Sequence, residues 1–518
     1  MCFIDLSKAF DTVPKNILIH KIGSILPHGN FLHLLKRLIN EKSFKVLYDG
    51  NESSKFTLKN GIPQGDSLSP TLFSIFINDL SKEIDANLGN LNAVNIGETQ
   101  IPCLIYADDI LLMSNDINSL MNQIQIVNEY CKRNSLDMNF DKTKLIFQNI
   151  RYENDHIELN LNNELKRIDI VREYKYLGFW IGNNTKKHLS SLTKNGNKSA
   201  YLTAKKLKEI GCANGTIVKN TFEMLTLSKM QYGGEFCFYN KLSELNRIQF
   251  QFYKRFYHLI TTTANYCLIG EFGLFPLEYH FEKAAINLWI KIIFNESSSI
   301  MKRCYNHVSN NLDNSNYSYT WCWRIKHLLK QINLSHLWLD QNSLEINKRK
   351  CKIIVKTRLM EHFRAIWIND TKKSRTGIDY LELSQFDCSM KSYLTLNLKL
   401  NIMAPLLKLR CRNHDLAVKT GCYRNRLSYD ERLCSLCDDR TVETVYHFIC
   451  KCALYNDIRL HFTPFFVDIS KQDLYVMLET LEIGKIVTLT KLVGVITLKP
   501  CKLRVEGQIF AYILIFIL

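Results

Sequence analysis

The 518-residue sequence lacks the apolar segments that mark a secreted or a membrane protein. Its first residues, Met1-Cys2-Phe3-Ile4, meet the acidic Asp5 at once and offer neither the basic start nor the apolar core of a signal peptide. The apolar stretch 509–518 is only about half of the roughly 20 residues that a membrane-spanning helix needs. We therefore expect an intracellular protein, nuclear or cytoplasmic, that is not secreted and has no membrane partner.

The cysteines are also scattered, and acidic residues are fewer than basic ones. The 17 cysteines are odd in number and scattered, which argues against a secreted disulfide framework and favours a reducing compartment. Only 50 acidic residues stand against 67 Lys and Arg, and the formal charge of +17 favours a polyanionic partner, with an ordinary basic protein as the alternative. The hydrophobic fraction of 46% is typical of folded protein, and the length predicts about three domains.

The segment Leu104-Ile105-Tyr106-Ala107-Asp108-Asp109-Ile110-Leu111-Leu112 places two adjacent acids between apolar runs. This pattern predicts a hairpin with Ala107-Asp108-Asp109 at its tip. A second apolar run, Phe3-Ile4, ends directly at Asp5 and predicts a strand that terminates in a carboxylate. Like charges held together repel unless a proton or a cation intervenes, so a divalent metal is the natural partner. A solvated turn is the alternative for the acidic pair.

Between these acidic segments lies the loop Gly61-Ile62-Pro63-Gln64-Gly65, which precedes a helix start at Ser69-Pro70. Gly61 and Gly65 allow close backbone approach to a substrate, and the Gln64 amide can contact a template or a nucleotide. An ordinary surface turn is the alternative. Other periodic patterns predict two helices within 15–40, a hairpin whose turn contains Asp49-Gly50-Asn51, and an amphipathic helix over 117–130.

In this order, the three segments closely resemble motifs A, B and C of reverse transcriptases, and they are nearest to those of non-LTR (LINE-type) retrotransposons. The resemblance implies an α+β fold whose palm is an antiparallel sheet with helices on one face. It implies an RNA-directed DNA polymerase in which Asp5, Asp108 and Asp109 hold two Mg²⁺ ions. The implied partners are an RNA template, a DNA primer and deoxynucleoside triphosphates. Asn78-Asp79-Leu80 is expected to close the motif B helix, as in the family.

Three further features extend the resemblance. Phe10 matches the aromatic residue that excludes a ribose 2′-OH, with a core position as the alternative. The segment 139–144 resembles motif D, in which Lys142 protonates the departing pyrophosphate, and a solvated cation is an equally weighted alternative. The segment 174–179 resembles motif E, in which Tyr176, Leu177 and Gly178 grip the primer end, and an aromatic-rich strand is the alternative.

These motifs divide the chain into expected domains. Residues 1–182 form the palm, and 183–294 form a helical thumb whose lysines hold duplex phosphates, or else a helical domain with a solvated basic face. Residues 295–405 form a helical connector of unknown role. Residues 406–470 form a basic segment with a zinc knuckle, and 471–518 form a tail of unknown role.

The zinc knuckle rests on Cys434 and Cys437, followed by His447 and Cys452. Three thiolates and one imidazole are a common tetrahedral set for one Zn²⁺. The family spacing favours Cys452 as the last ligand and makes Cys450 a bystander, although closure by Cys450 stays open, as do ordinary reduced cysteines.

The sequence begins only four residues before Asp5. Full-length relatives carry a fingers region before motif A, so we expect an N-terminally truncated fragment with impaired or no activity alone. The alternative function is a catalytically silent nucleic-acid-binding remnant that uses the basic thumb and the zinc knuckle.

Overall fold

The computed structural model describes residues 1–87, 92–148, 154–161, 164–341, 346–383, 389–414, 416–423 and 426–456. The tail expected at 471–518 lies outside the described residues. The chain divides into two compact units. Unit 1 comprises Met1–His188 and Asn295–Ser318, and unit 2 comprises Leu189–Phe294 and the described residues from Tyr319 onward.

The described elements follow each other in the order expected for an α+β chain that ends in helices. The strands are β1 (Cys2–Ile4), β2 (Ser43–Phe44), β3 (Leu47–Tyr48), β4 (Asn51–Glu52), β5 (Phe56–Thr57), β6 (Val94–Ile96), β7 (Thr99–Ile101), β8 (Cys103–Tyr106), β9 (Asp109–Leu112), β10 (Lys144–Leu145), β11 (His156–Leu161), β12 (Glu164–Ile170), β13 (Tyr174–Tyr176) and β14 (Phe179–Ile181).

The α-helices are α1 (Ala9–Thr12), α2 (Lys15–Ile25), α3 (Asn30–Glu41), α4 (Ser69–Ala86), α5 (Ile117–Arg133), α6 (Lys186–Glu209), α7 (Gly215–Phe222), α8 (Ser228–Met230), α9 (Gly234–Cys237), α10 (Ser243–Phe256), α11 (Asn265–Phe272), α12 (Leu277–Ile293), α13 (Ile300–Asn310), α14 (Trp321–Gln331), α15 (Ser335–Leu339), α16 (Lys348–Lys372), α17 (Arg375–Leu383), α18 (Leu400–Arg410) and α19 (Ala417–Tyr423). Short π-helical segments occur at Glu223–Leu227 and His447–Lys451.

Unit 1 is built on a six-stranded sheet with the strand order β11-β12-β10-β1-β9-β8. Strand β1 lies inside the sheet and pairs antiparallel with β9 on one side and with β10 on the other. Strands β10 and β12 pair in parallel, so the expectation of a wholly antiparallel sheet is wrong at this pair. The reason is the hairpin partner β11, which reverses the chain between β10 and β12.

The two faces of the sheet are covered differently because side chains alternate along each strand. Cys2 and Ile4 face the main core, which also holds buried residues of α2, α3, α4 and α5. Phe3 faces the opposite side, where it packs with Leu111 and Tyr176 in a small separate cluster. The main core confirms helices on one face, and the hairpin β13–β14 contributes to the other.

Most local elements of unit 1 match the sequence patterns. The two helices expected within 15–40, the hairpin around 49–51 and the helix beginning at Ile117 are all present. In the hairpin turn, Asp49 and Gly50 adopt positive φ rather than Asn51. The expectation that α4 closes at Leu80 is wrong. The helix continues to Ala86 because Ile84, one turn beyond Leu80, is also fully buried in the main core.

The segment Asn295–Ser318 belongs to unit 1 although unit 2 surrounds it in sequence. Its helix α13 contacts both strands of the hairpin β6–β7. Gly97, in the turn of that hairpin, has φ 60°, and a Cβ at this position would lie 2.4 Å from Nδ1 of His307. Glycine is therefore required there both for its backbone conformation and for this close approach.

Helices dominate the described part of unit 2, as the sequence predicts for 183–294 and for the connector that follows. Its core contains a fully buried ion pair in which Arg410 Nε donates to Glu271 Oε2 at 2.8 Å. Tyr393 and Tyr380 also donate hydrogen bonds to this carboxylate, at 2.6 and 2.9 Å. Burial opposes ionisation of Glu271, but the charge of Arg410 and these hydrogen bonds lower its pKa. No described helix combines the length and the apolarity needed to cross a bilayer.

Replacing Arg410 with Met should lower the free energy of unfolding by about 3–5 kcal/mol, because it leaves the buried Glu271 carboxylate without its counter-charge. Urea unfolding followed by tryptophan fluorescence reports mainly on unit 2, which holds five of the six tryptophans. Arg358→Met, which removes an exposed pair with Glu361, is the control and should change stability by less than about 1 kcal/mol. Equal effects of the two substitutions would contradict a stabilising role for the buried pair.

Candidate functional site

The three expected metal-binding acids converge at one end of the central strands. The register pairs Cys2 with Leu112 and Ile4 with Ile110, so the next position opposes Asp5 to Asp109 across the β1–β9 pair. Asp108 precedes Asp109 in the connection from β8 to β9. Two acids on neighbouring strands and a third in the adjoining turn are thus brought together by strand pairing alone.

The turn that carries Asp108 is tighter than expected. Tyr106 pairs with Asp109, so Ala107 and Asp108 alone form the tip, whereas Asp109 is the first residue of β9. Ala107 has φ 53°, a conformation that residues with a Cβ rarely adopt. Such backbone outliers concentrate at functional sites, because the surrounding structure has to hold them in place.

The electrostatics of the acids favour a cation. Partial burial, together with the negative charges of Asp108 and Asp5, raises the pKa of Asp109. The pKa of Tyr174, in the hairpin β13–β14, is also raised, first by burial and then by the charges of Asp5 and Asp109. Carboxylate oxygens are the preferred ligands of Mg²⁺, so the donor set fits that ion.

The segment 139–144 lies directly beside Asp5. Asn139 donates its backbone N–H to the Asp5 carbonyl at 2.8 Å, and the Asp5 N–H donates to Thr143 Oγ1 at 3.4 Å. Lys142 Nζ lies 3.5 Å from Asp5 Oδ2, and its side chain is 67% exposed. The structure therefore brings Lys142 to the acids while leaving its ammonium group accessible to solvent.

The loop that begins at Gly61 packs against the segment following Asp5. Gly61 has φ 88°, and a Cβ there would lie 2.7 Å from the Asp11 carbonyl oxygen, so only glycine fits. Gln64 Nε2 donates to Asp11 Oδ1 at 3.3 Å. Gly65 also has φ 88°, but the space around it is open. Glycine is therefore favoured there by the backbone conformation alone.

Phe10 is half-buried and stacks on Phe73 of α4, with ring centroids 4.6 Å apart. Its backbone carbonyl accepts the Ile62 N–H at 2.9 Å, which ties it to the same loop. One side of the ring therefore belongs to the core while part of the residue stays accessible. This placement is compatible with both interpretations of Phe10, as the residue that excludes a ribose 2′-OH and as a core residue.

The hairpin β13–β14 is formed as the sequence predicts, with Leu177 and Gly178 in its turn at φ 47° and 82°. It packs beneath the acids through Phe3, whose ring lies 4.5 Å from that of Tyr174 and 5.5 Å from that of Tyr176. Burial, with a smaller contribution from the charge of Asp109, raises the pKa of Tyr176 to about 12.

The four expected zinc ligands form a separate cluster in unit 2. One ligand atom from each of Cys434, Cys437, His447 and Cys452 lies within 4.8 Å of the other three. Cys450 is buried but is not part of this group. Three thiols and an imidazole gathered in this way match the donor set of a structural zinc site.

Two residues around the cluster were not predicted as site residues. Thr441 Oγ1 lies 2.9 Å from His447 Nδ1, which leaves Nε2 facing Cys437 Sγ at 3.4 Å. Glu443 accepts the Cys434 thiol at 3.9 Å and the N–H of Ala417, the first residue of α19, at 2.5 Å. The sequence signal for both is their position between the second cysteine and the histidine, in the segment that resembles the family knuckle.

Comparison with known proteins places the N-terminal part of this chain in a family. Residues 1–181 match the model of the family described as "Reverse transcriptase (RNA-dependent DNA polymerase)". An RNA-directed DNA polymerase from the mobile element jockey of Drosophila funebris is 30% identical over 203 residues, 37% of this chain and 20% of the relative. A Pol polyprotein from the type-1 retrotransposable element R2 of Popillia japonica is 25% identical over 185 residues, 35% of this chain and 26% of that protein.

The matched stretches thus span about a quarter or less of these relatives. The family match covers residues 1–181, which include Asp5, Asp108 and Asp109. Residues 1–181 therefore belong to the reverse transcriptases, in the group of non-LTR, LINE-type retrotransposons.

Proposed function

We propose that this chain carries the catalytic module for RNA-directed DNA synthesis, in which a DNA primer is extended on an RNA template from deoxynucleoside triphosphates, and that its activity alone is impaired. The observation that carries the proposal is the register of β1 on β9, which opposes Asp5 to Asp109 beside the turn that holds Asp108. Nucleotidyl transfer needs acids in this arrangement, because charge develops on both the attacking and the leaving oxygen.

Asp5, Asp108 and Asp109 would hold two Mg²⁺ ions. Bound there, the ions supply a clamp that neutralises the triphosphate and favours ionisation of the primer 3′-hydroxyl. The raised pKa of Asp109 supports this assignment, since burial and then the charges of Asp108 and Asp5 disfavour its ionised form, which a bound cation would stabilise.

Lys142 is the proposed proton donor to the departing pyrophosphate. Its ammonium group lies 3.5 Å from Asp5 Oδ2, at the edge of the acidic cluster, and stays solvent-accessible. Gln64 and Gly65 are the proposed contacts to template or nucleotide, and the turn Tyr176-Leu177-Gly178 is the proposed grip on the primer end. The part of α6 that belongs to unit 2 carries the proposed contacts to duplex phosphates, which supply affinity without sequence preference: Lys194, Lys198, Lys205, Lys206 and Lys208.

The Asp108→Asn/Asp109→Asn variant should lose divalent-metal binding and primer extension together. Metals contribute several kcal/mol of transition-state stabilisation, so extension on an RNA template should fall by roughly a hundredfold or more. Mn²⁺ binding followed by electron paramagnetic resonance checks the metal site independently of turnover.

Asp85→Asn is the matched control, because Asp85 is an exposed carboxylate of α4 outside the acidic cluster. It should retain both properties. Extension by the double Asn variant at the unaltered rate would sink the polymerase proposal.

Phe10→Ala should relax discrimination against ribonucleotides if the exposed part of the ring lies beneath the sugar. Removing one such side chain should narrow the preference for deoxynucleotides by roughly 10- to 100-fold, measured as the ratio of kcat/KM values. Phe31→Ala removes an exposed phenylalanine of α3 and is the control. An unchanged ratio in Phe10→Ala, with extension retained, would assign Phe10 to the core alone.

We further propose that Cys434, Cys437, His447 and Cys452 bind one Zn²⁺. The mutual approach of their ligand atoms to within 4.8 Å supports this set over one that contains Cys450. Thr441 is the proposed positioning residue, because a hydrogen bond to Nδ1 fixes the imidazole with Nε2 free for the metal. Metal binding would supply folding free energy that so short a segment cannot obtain from a core of its own.

Metal analysis of the full chain should find one zinc per molecule, lost in Cys437→Ser and retained in Cys450→Ser. Thr441→Val should weaken zinc affinity by roughly 10- to 100-fold, as expected for loss of a hydrogen bond that orients a ligand. Competition with a chromogenic chelator measures this affinity, and Thr420→Val, which alters a helix hydroxyl of α19, is the control. Loss of zinc in Cys450→Ser but not in Cys452→Ser would overturn the ligand set.

A binding-only function is the second candidate, and the formal charge of +17 favours it. Filter binding across a salt series separates the two candidates. Salt-sensitive binding of RNA without any extension would leave the chain as a nucleic-acid-binding protein, and absence of binding would exclude both candidates.

A further inference from the structure

Helix α16 of unit 2 shows two side-chain rows of different character along its 25 residues. Its buried row recurs at every fourth position and consists of Cys351, Val355, Leu359, Phe363, Trp367 and Thr371. Phe363 packs edge-on against Tyr279 of α12, and Trp367 Nε1 donates to the Tyr266 carbonyl of α11 at 3.0 Å. The buried row of α16 is therefore packed against other helices of unit 2.

A second row begins at Lys348 and lies one position after the buried row. Met360 and Ile368 interrupt it, and its other members are basic and exposed. We name these basic members the cation row: Lys348, Lys352, Lys356, Arg364 and Lys372. Successive members at i and i+4 are about 6 Å apart along the axis, because an α-helix rises 1.5 Å per residue. The spacing puts the ammonium groups of the first three on neighbouring turns of one helix face.

Nothing on the helix neutralises this row. The two acids of α16 are already engaged, Glu361 with Arg358 and Asp370 with Lys373. No cation-row member forms an ion pair with an acid among the described residues of the chain. The nearby Lys283 of α12 adds further positive charge, and its pKa is lowered by burial and then by Lys356.

A solvated helix face normally mixes both charge signs, since like charges at i and i+4 each cost roughly 0.2–0.5 kcal/mol. Three cations in succession at this spacing therefore carry a small cost in stability. A partner with regularly spaced negative charges would offset it.

We propose that the cation row of α16 binds the sugar-phosphate backbone of a nucleic acid, independently of base sequence. A repeating polyanion matches a row that repeats about every 6 Å. A membrane surface does not, because an interfacial helix must insert a continuous apolar side. The buried row of α16 packs against α11 and α12, and the exposed Ile353 and Ile366 are 13 positions apart and lie on different sides of the helix. The inference deepens the proposed function, on which it rests, by adding a binding surface in the connector, whose role is not predicted from sequence.

The test is a salt series of binding to single-stranded RNA and to a DNA duplex by the full chain. Lys348→Gln/Lys352→Gln/Lys356→Gln should reduce the slope of log K against log salt by about 2.1 for a single strand or about 2.7 for a duplex if each lysine holds one phosphate. Whichever arm shows the reduction identifies the strand that the row contacts.

The matched control is Lys241→Gln/Lys326→Gln/Lys330→Gln, which removes the same charge from three exposed lysines of unit 2 outside α16. Its slope should stay within about 0.5 of the unaltered chain. Neither triple variant should lose stability, because the lysines are exposed and both variants relieve like-charge pairs at i and i+4. Equal slopes for the two triple variants would reduce the effect to net charge and overturn the proposal.

Two further outcomes also decide it. An unchanged slope in the α16 variant overturns the proposal, as does row-dependent binding to phosphatidylserine vesicles without row-dependent nucleic-acid binding. The salt series is run without divalent metal or triphosphates, so that no extension takes place, and failure of the polymerase proposal leaves this binding result intact.

Discussion

The pairing of β1 with β9 is the interaction on which the candidate active site depends. Because both strands are held by backbone hydrogen bonds, the position of Asp5 opposite Asp109 is fixed by register rather than by side-chain contacts. A shift of β1 by one residue would turn Asp5 to the other face, away from Asp109, and would also exchange Phe3 with its neighbours in the two cores. The helix-covered core and the Phe3 cluster therefore defend the same register that places the acids.

Much of unit 1 could be predicted because its signals are local. The apolar runs that flank Asp108-Asp109 and precede Asp5 are enough to predict strands. A proline in the first turn of α4 marks where that helix begins. The family resemblance supplied the roles, and the comparisons confirm the reverse transcriptase family for residues 1–181. The predicted end of α4 at Leu80 is wrong because the boundary of a sequence motif need not be the boundary of a helix. Ile84 continues the buried row beyond it.

The remaining features depend on contacts between distant residues, which sequence patterns do not encode. Nothing in the spacing of Asn139 indicates that its N–H binds the Asp5 carbonyl. The parallel pairing of β10 with β12 depends on how β11 folds back, and the link from Glu443 to α19 joins segments 26 residues apart. The cation row cannot be recognised from the sequence either, because its interpretation depends on which other face of α16 is buried.

The return of Asn295–Ser318 to unit 1 bears on how this domain is inherited. The hairpin β6–β7 is completed by α13, against whose His307 the Gly97 turn closes without room for a Cβ. Recombination that exchanged only the first 182 residues would separate the hairpin from the helix that covers it. Unit 1 is thus discontinuous in sequence, and the close approach of Gly97 to His307 joins positions more than 200 residues apart.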